Sequence, residues 1–533
     1  MNTYEDLLRS ISARETILNK KSGGRFNFAL VYPNSYRVGM SNLGIHIIYQ
    51  LLNDLNQISC ERFFLNPSAN KILSVESLAP LNKFQIIGFA VSFEPDYFNI
   101  IKILRLSKIN PRASLRTDFD PIIIAGGPCA TFNPEPLAEI FDAFVIGEGE
   151  IILPPLVNAI INAENLPRLK KLEKLAEIPG VYVPTFKKSV SRQWIKNLDD
   201  FPAHSTILTD DAEFNMYLIE TARGCGRHCR FCMAGYCFRK PRNRSIDVLK
   251  QEILSAKHFG KKIGLMGAAI SDYPKINDLC RFILENNLQM SVASFRADSV
   301  TPELVHSLAK SGLKTLTIAP EVGSDKMRRV INKGLTEKNI FNAVELGISA
   351  GIKNFRLYFM IGLPFEELSD VEEIAKLSAR IKKMCAGRLT LSVNPFVPKP
   401  FTPFQWAPFA EKKYLDAALK ILRSRLKSVH GVEIISESVK AAEIQAILSR
   451  GDRKISEIVL QSESAQDFRK NFNLDKNFYL RQRNLEENLA WDFLNQGFSK
   501  KYLIEEFNRA KNLIETPPCF ENCKRCGVCK EVK

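Results

Sequence analysis

The chain is 533 residues long, with 45% apolar and 25% charged residues, which describes a globular protein of two to four domains and excludes a disordered or fibrous one. No apolar run approaches the roughly 20 residues that span a bilayer, and the amino-terminal stretch lacks the apolar core of a secretory signal, so no membrane contact and a cytoplasmic location are expected. The net charge of +16 permits an anionic partner such as RNA, beside the plainer reading of a solvated basic surface.

Taken in order, Phe26 to Tyr32 is a compact apolar run, followed by a helical pattern from Met40 to Leu55. Phe84 to Ser92 and Pro121 to Ala125 are continuous apolar runs that fit strands buried on both faces. Polar or glycine-rich turns follow the strands: Glu94-Pro-Asp, Gly126-Gly-Pro and Gly147-Glu-Gly-Glu. Strand, turn and helix in repetition predict an α/β domain over residues 1–164, a doubly wound parallel sheet with its ligand crevice at the strand carboxyl ends. His46, on the first helix, reads as a packed side chain rather than a ligand. Residues 165–211 are charged and proline-punctuated, and read as small strands and a linker.

Three cysteines, Cys225, Cys229 and Cys232, then stand at C-x3-C-x2-C spacing just after the apolar run Met216-Tyr-Leu-Ile. With 12 cysteines in the chain, chance gives about 0.006 copies of this spacing. A short loop of this kind can place three thiolates on three corners of a [4Fe–4S] cluster, leaving the fourth iron without a protein ligand. A structural zinc needs a fourth donor, and none stands at a matching spacing. From Arg223 to Arg244 there are seven Lys and Arg residues and no acidic ones, a charge that suits thiolates and a bound carboxylate as well as it suits nucleic acid. Two tight cysteine clusters, with the other five cysteines scattered, favour metal binding over a disulfide scaffold.

The loop, with Phe231 as its aromatic, resembles the C-x3-C-x-aromatic-C hallmark of the radical S-adenosylmethionine (SAM) superfamily. The resemblance implies a [4Fe–4S] cluster whose open iron is chelated by the amino and carboxylate groups of SAM. It also implies a protein reductant such as flavodoxin or ferredoxin, and one-electron cleavage of SAM to a 5′-deoxyadenosyl radical that abstracts hydrogen.

Strand candidates at 216–222, 261–267, 288–294, 313–319, 353–361 and 388–394 suit the partial (β/α)6 barrel of that superfamily, over residues 212–406. By the same resemblance, Gly267 and Ala268 stand where a glycine-rich turn meets the SAM amino group. Ser294 and Arg296 end the third strand, with Arg296 placed to pair with the SAM carboxylate. Glu321 takes the position of a ribose-hydroxyl ligand, and Met360 and Gly362 that of the apolar strip against adenine. The segment Asn394 to Trp406 resembles the one that follows the last strand in tRNA- and ribosomal-protein methylthiotransferases.

Residues 407–533 read as a helical region, with Arg450-Gly-Asp-Arg453 as a structural turn and a cysteine-rich tail. In the tail, Cys519, Cys523, Cys526 and Cys529 stand at C-x3-C-x2-C-x2-C spacing, which can close tetrahedral zinc or saturate a second iron–sulfur cluster. Crowding four ligands into eleven residues favours the cluster, since zinc sites usually separate two pairs. The amino-terminal third resembles the cobalamin-binding domain that precedes the barrel in one branch of the superfamily. It departs from the histidine-ligating members, which carry D-x-H-x-x-G where this chain has Asn34-x-Tyr36-x-x-Gly39. Cobalamin held without a protein ligand and a domain that has lost the cofactor both stay open. The whole chain resembles a functionally unassigned two-domain group. A transferase that methylates or methylthiolates a macromolecule such as RNA or protein is expected, against a non-catalytic iron–sulfur RNA-binding or redox-sensing protein.

Overall fold

The computed structural model describes residues 3–18, 24–520 and 523–529, which fall into two compact units. The first contains Met1–Tyr217, Ile447–Asp475 and Asn488–Gly497; the second contains Leu218–Ala446, Lys476–Glu487 and Phe498–Lys533. The stretch 407–533, expected as one helical region, is therefore shared between the two units.

In the first unit, β1 (Phe26–Tyr32), β2 (Ile58–Phe64), β3 (Ile86–Ala90), β4 (Ile122–Gly126), β5 (Ala143–Val145) and β6 (Val181–Tyr182) form one sheet in the order 2-1-3-4-5-6. The first five are parallel and β6 is antiparallel. Ala29, Val31, Ile86, Ile87 and Ile123 have no exposure at all, as strands covered on both faces require. The order reverses between β1 and β3, and the crevice of such a sheet lies at that reversal. There Asn34 and Asn99 donate to Asp96 Oδ1 at 2.8 and 3.3 Å, and burial pushes the Asp96 carboxyl up to about 6. His46 is a packed side chain, with Nε2 on the Met40 carbonyl at 3.0 Å and Nδ1 accepting from Thr206 N–H at 3.3 Å.

The returning segments are built into this unit. Asp452 caps the helix Arg453–Leu460, whose Arg453 reaches Glu135 at 3.2 Å and Tyr182 Oη at 3.0 Å. Asn133 Nδ2 donates to the carbonyls of Ser449 and Gly451 at 3.1 and 2.8 Å, so the Arg450–Arg453 turn is structural. The strand Leu494–Asn495 pairs with Val190–Ser191.

In the second unit, β7 (Met216–Glu220), β8 (Lys262–Met266) and β9 (Met290–Ser291) adjoin in that order. A bridge between Phe295 and Ile318 leads to β10 (Thr315–Glu321), β11 (Asn354–Ile361), β12 (Leu389–Pro395) and β13 (Val432–Ser436), all parallel. The first six are the expected barrel strands; β13 adds a seventh. One face of β10–β12 carries Leu316, Ile318, Phe355, Leu357, Leu391 and Val393, fully buried under helices such as Glu337–Ser349 and Leu368–Met384. The alternate face carries Thr317, Glu321, Arg356, Tyr358, Met360, Ser392 and Asn394, polar apart from Met360 and only partly buried or exposed. An inward face of that composition leaves room for a ligand instead of a packed core.

Candidate functional site

The loop after β7 is shaped by its backbone. Gly224 has φ +86°, and a Cβ there would lie 2.3 Å from the Phe238 carbonyl oxygen, so only glycine fits the turn. Three short backbone bonds then coil the segment: Cys229 N–H to Arg227 O at 2.8 Å, Cys232 N–H to Cys229 O at 3.2 Å and Gly235 N–H to Cys232 O at 3.1 Å. The coil brings Cys225, Cys229 and Cys232 close enough to sense one another. Burial and then the neighbouring Cys229 push Cys225 up, and push Cys232 up to about 12. Among the described residues no three His, Cys, Asp or Glu side chains converge on a single metal ion. A cubane spreads its ligands over separate irons, and three thiols are a fitting donor set for it.

One cation reaches Cys229 and a second stands beside the loop. Arg296 Nη1 lies 3.7 Å from Cys229 Sγ, with Arg296 itself held by Asp298 at 3.1 Å and the Lys333 carbonyl at 2.6 Å. Lys333 Nζ pairs with Glu321 at 2.9 Å and lies 5.9 Å from the ring centroid of Phe231. Burial opposes both charges, yet Cys229 with Asp298 holds Arg296 above its ordinary range, and Glu321 with Cys229 does the same for Lys333. Glu321 sits at φ +69°, in a bulge where the pairing of β10 with β11 shifts register. Cys225, Cys229, Cys232, Phe231, Arg296 and Glu321, six residues expected from sequence at one site, are thus joined around one loop.

The other expected residues are spread along the strand ends. Gly267 adjoins the loop: a Cβ there would meet the Ala222 carbonyl and Thr221 Oγ1, each at 3.2 Å. Ala268 and Ser294 are exposed beyond β8 and β9, and Met360 lies on the inward face of β11. Gly362 follows β11. At φ +78°, a Cβ on it would lie 2.7 Å from Ala410 Cβ, so its bareness serves the close packing of the following helical segment.

His228, Tyr502, Glu506 and Asn332, further neighbours of the loop, are not among the residues to which the sequence points. His228 is buried between the cysteines, with Nδ1 2.5 Å from Tyr502 Oη and Nε2 3.2 Å from Cys519 Sγ. Burial, helped by Arg239 and other guanidiniums, lowers its pKa to about 3 and keeps it neutral. Arg230 pairs with Glu506 at 3.1 Å, both buried, and Asn332 Nδ2 donates to the His228 carbonyl at 3.1 Å. A histidine inside C-x3-C was a visible signal; Asn332 and Lys333, a hundred residues downstream, had none.

Two family models match the chain: "Radical SAM proteins, N-terminal" over residues 44–184 and "Radical SAM superfamily" over residues 219–378, which includes the cysteine loop. The uncharacterized protein MJ0966 of Methanocaldococcus jannaschii is 33% identical over 82% of this chain and 91% of its own length. This chain belongs to the radical SAM superfamily. Radical SAM membership brings a [4Fe–4S] cluster and SAM as cofactors, and makes the chain an enzyme of that class. The uncharacterized methyltransferase PH0819 of Pyrococcus horikoshii is 26% identical over 49% of this chain and 58% of its own length. Among solved structures, the radical SAM methyltransferase TsrM from Kitasatospora setae, with cobalamin and a [4Fe–4S] cluster bound, shares the fold at TM-score 0.51 and 14% identity, over 84% of this chain and 99% of its own. No helix among the described residues is long and apolar enough to cross a membrane.

Two glycines and a tyrosine in the turns of the first unit have internal uses. A Cβ on Gly147 would lie 2.0 Å from Gln193 O, and one on Gly127 would lie 2.7 Å from Val91 O, so both glycines admit the chain's own backbone. Tyr36 is buried and donates to Glu15 at 2.5 Å. The Tyr36 hydroxyl is thus spent on Glu15 and is not offered to a corrin.

Proposed function

We propose that this radical SAM enzyme reductively cleaves SAM at the Cys225–Cys229–Cys232 loop and uses the resulting radical on a C–H bond, in a group transfer to an RNA or protein substrate. When bound, the [4Fe–4S] cluster supplies the electron and SAM the 5′-deoxyadenosyl group. The observation that carries this reading is the gathering of three thiols at the head of the barrel, with Arg296 against Cys229 and Lys333 beside Phe231 and Glu321. In this reading the three thiols hold the cluster, and the two cations offset the negative charge that it brings. Arg296 orients the SAM carboxylate, and Glu321, fixed by Lys333, meets the ribose. Gly267 and Ala268 receive the amino group, Ser294 stands at the same rim, and Phe231 and Met360 shield the site from water. PH0819, named a methyltransferase, supports methyl transfer as the outcome, and a flavodoxin or ferredoxin would be the electron donor.

The RNA-binding alternative loses its local support. Of the basic run, Arg223 and Arg244 pair with Glu220, Arg230 with Glu506, and Arg227 with Asp272 and Asp298. Charges spent in this way are not a phosphate-binding surface. The test is anaerobic reconstitution with iron and sulfide, then dithionite and SAM. Wild type should release 5′-deoxyadenosine and Cys229→Ala should lose more than 100-fold of it; a fully active Cys229→Ala protein rejects the assignment.

A further inference from the structure

The tail cysteines, far from the loop in sequence, are stitched onto it in the second unit. Cys519 N–H donates to the Gly226 carbonyl at 2.8 Å, and a Cβ on Gly226 would lie 3.5 Å from Cys519 Cβ. Thr516 exchanges two bonds with Asn332, at 2.8 and 3.0 Å, and Arg230 Nη2 donates to the Ile514 carbonyl at 2.6 Å. Cys523 and Cys526 are buried, and Cys523 N–H donates to the Phe520 carbonyl at 3.1 Å. Arg239 is buried here too, with its guanidinium 4.6 Å from the centroid of the Tyr236 ring.

His228 joins the two cysteine sets. Its Nδ1 faces Arg239 Nη1 at 3.2 Å, and a guanidinium can only donate, so Nδ1 is the acceptor nitrogen. The ring proton therefore sits on Nε2 and is donated to Cys519 Sγ at 3.2 Å. The backbone of the same residue leads directly into Cys229.

We propose that Cys519, Cys523, Cys526 and Cys529 hold a second iron–sulfur cluster, and that His228, bonded to Cys519 and next in the chain to Cys229, is the connection by which an electron passes from it to the SAM-binding cluster. The transfer moves one electron. A one-electron carrier protein of the iron–sulfur or flavin type reduces the tail cluster, which is oxidised again as the loop cluster is reduced, with no bond made or broken and no proton displaced. This relay rests on the loop holding the SAM-binding cluster, as proposed above.

The experiment uses full-length protein purified without oxygen, in four forms: wild type, Cys523→Ser/Cys526→Ser, Cys225→Ala/Cys229→Ala/Cys232→Ala, and His228→Leu. Wild type should carry about eight irons and eight sulfides per chain, each cysteine variant about four, and His228→Leu about eight, which also shows that it folds. Reduced wild type should give a resonance spectrum broadened by coupling between two paramagnetic clusters, absent from both cysteine variants. With reduced ferredoxin as donor, His228→Leu should reduce its loop cluster at least tenfold more slowly. One zinc with four irons in wild type overturns the proposal, as do undiminished iron in the tail variant, uncoupled spectra, or an unchanged rate in His228→Leu. If instead SAM leaves the loop cluster's spectrum unaltered while the eight-iron count and the coupling hold, the SAM reading fails and the tail cluster stands.

Discussion

A buried guanidinium left without compensation costs several kcal/mol, so the arginines behind the cysteine loop show where charge is needed. Arg223, Arg230, Arg239, Arg242 and Arg244 are all buried. Their position makes most of the basic run in the sequence an internal counter-charge to acids and thiols, with Lys240 exposed. A buried acid in the first unit gives a prediction with a definite sign. Asp96 titrates at about 6 in the folded chain, above its ordinary 3.8, because burial disfavours the carboxylate. The folded chain thus binds more protons than the unfolded one between those values. Whatever this group costs the fold is absent below about pH 4 and grows as pH rises through 6. Asp96→Asn should therefore stabilise the protein by about 1–2 kcal/mol at pH 8 and leave it unchanged at pH 4, as denaturant titrations at the two pH values would show. Single residues were legible where a motif or a strand end marked them, as with the three cysteines and Arg296. Lys333 lay outside both kinds of mark, since only tertiary packing brings it to Phe231 and Glu321.

Among elements, the strands easiest to read were those buried on both faces, because their apolar runs are continuous and their turns abrupt. β13 escaped because Val432-Glu-Ile-Ile-Ser436 is short and half-exposed along its whole length, and follows Gly431 at φ +80°. At glycine-rich turns of the first unit two stretches of backbone touch. Gly147, at φ +130° with Gln193 O 2.0 Å from where a Cβ would be, is the sharpest case. Gly147→Ala should cost about 2 kcal/mol or more and lower the melting temperature of the apoprotein, with no cofactor added, as calorimetry would record. An unchanged melting temperature would mean that the turn is not locked as described.

For the whole molecule, the boundary expected at residue 212 lies a few residues before the division between Tyr217 and Leu218. The return of 447–475 and 488–497 to the first unit was not. Helical periodicity reports which face of a segment is apolar, but not which distant surface that face will cover. Phe98 packs on Phe468 with ring centroids 5.5 Å apart, and Arg112 pairs with Glu457 at 2.5 Å, contacts that a fragment of residues 1–217 cannot make. Such a fragment should melt without a cooperative transition by circular dichroism, whereas the full chain should show one.

The discontinuous first unit also sets a timetable for synthesis. Translation delivers β1 to β5 early, yet the surfaces of Phe98 and Arg112 stay bare until residues 447–475 emerge from the ribosome. Over that long interval the nascent chain carries an unfinished apolar flank, and a holding chaperone has its greatest opportunity there.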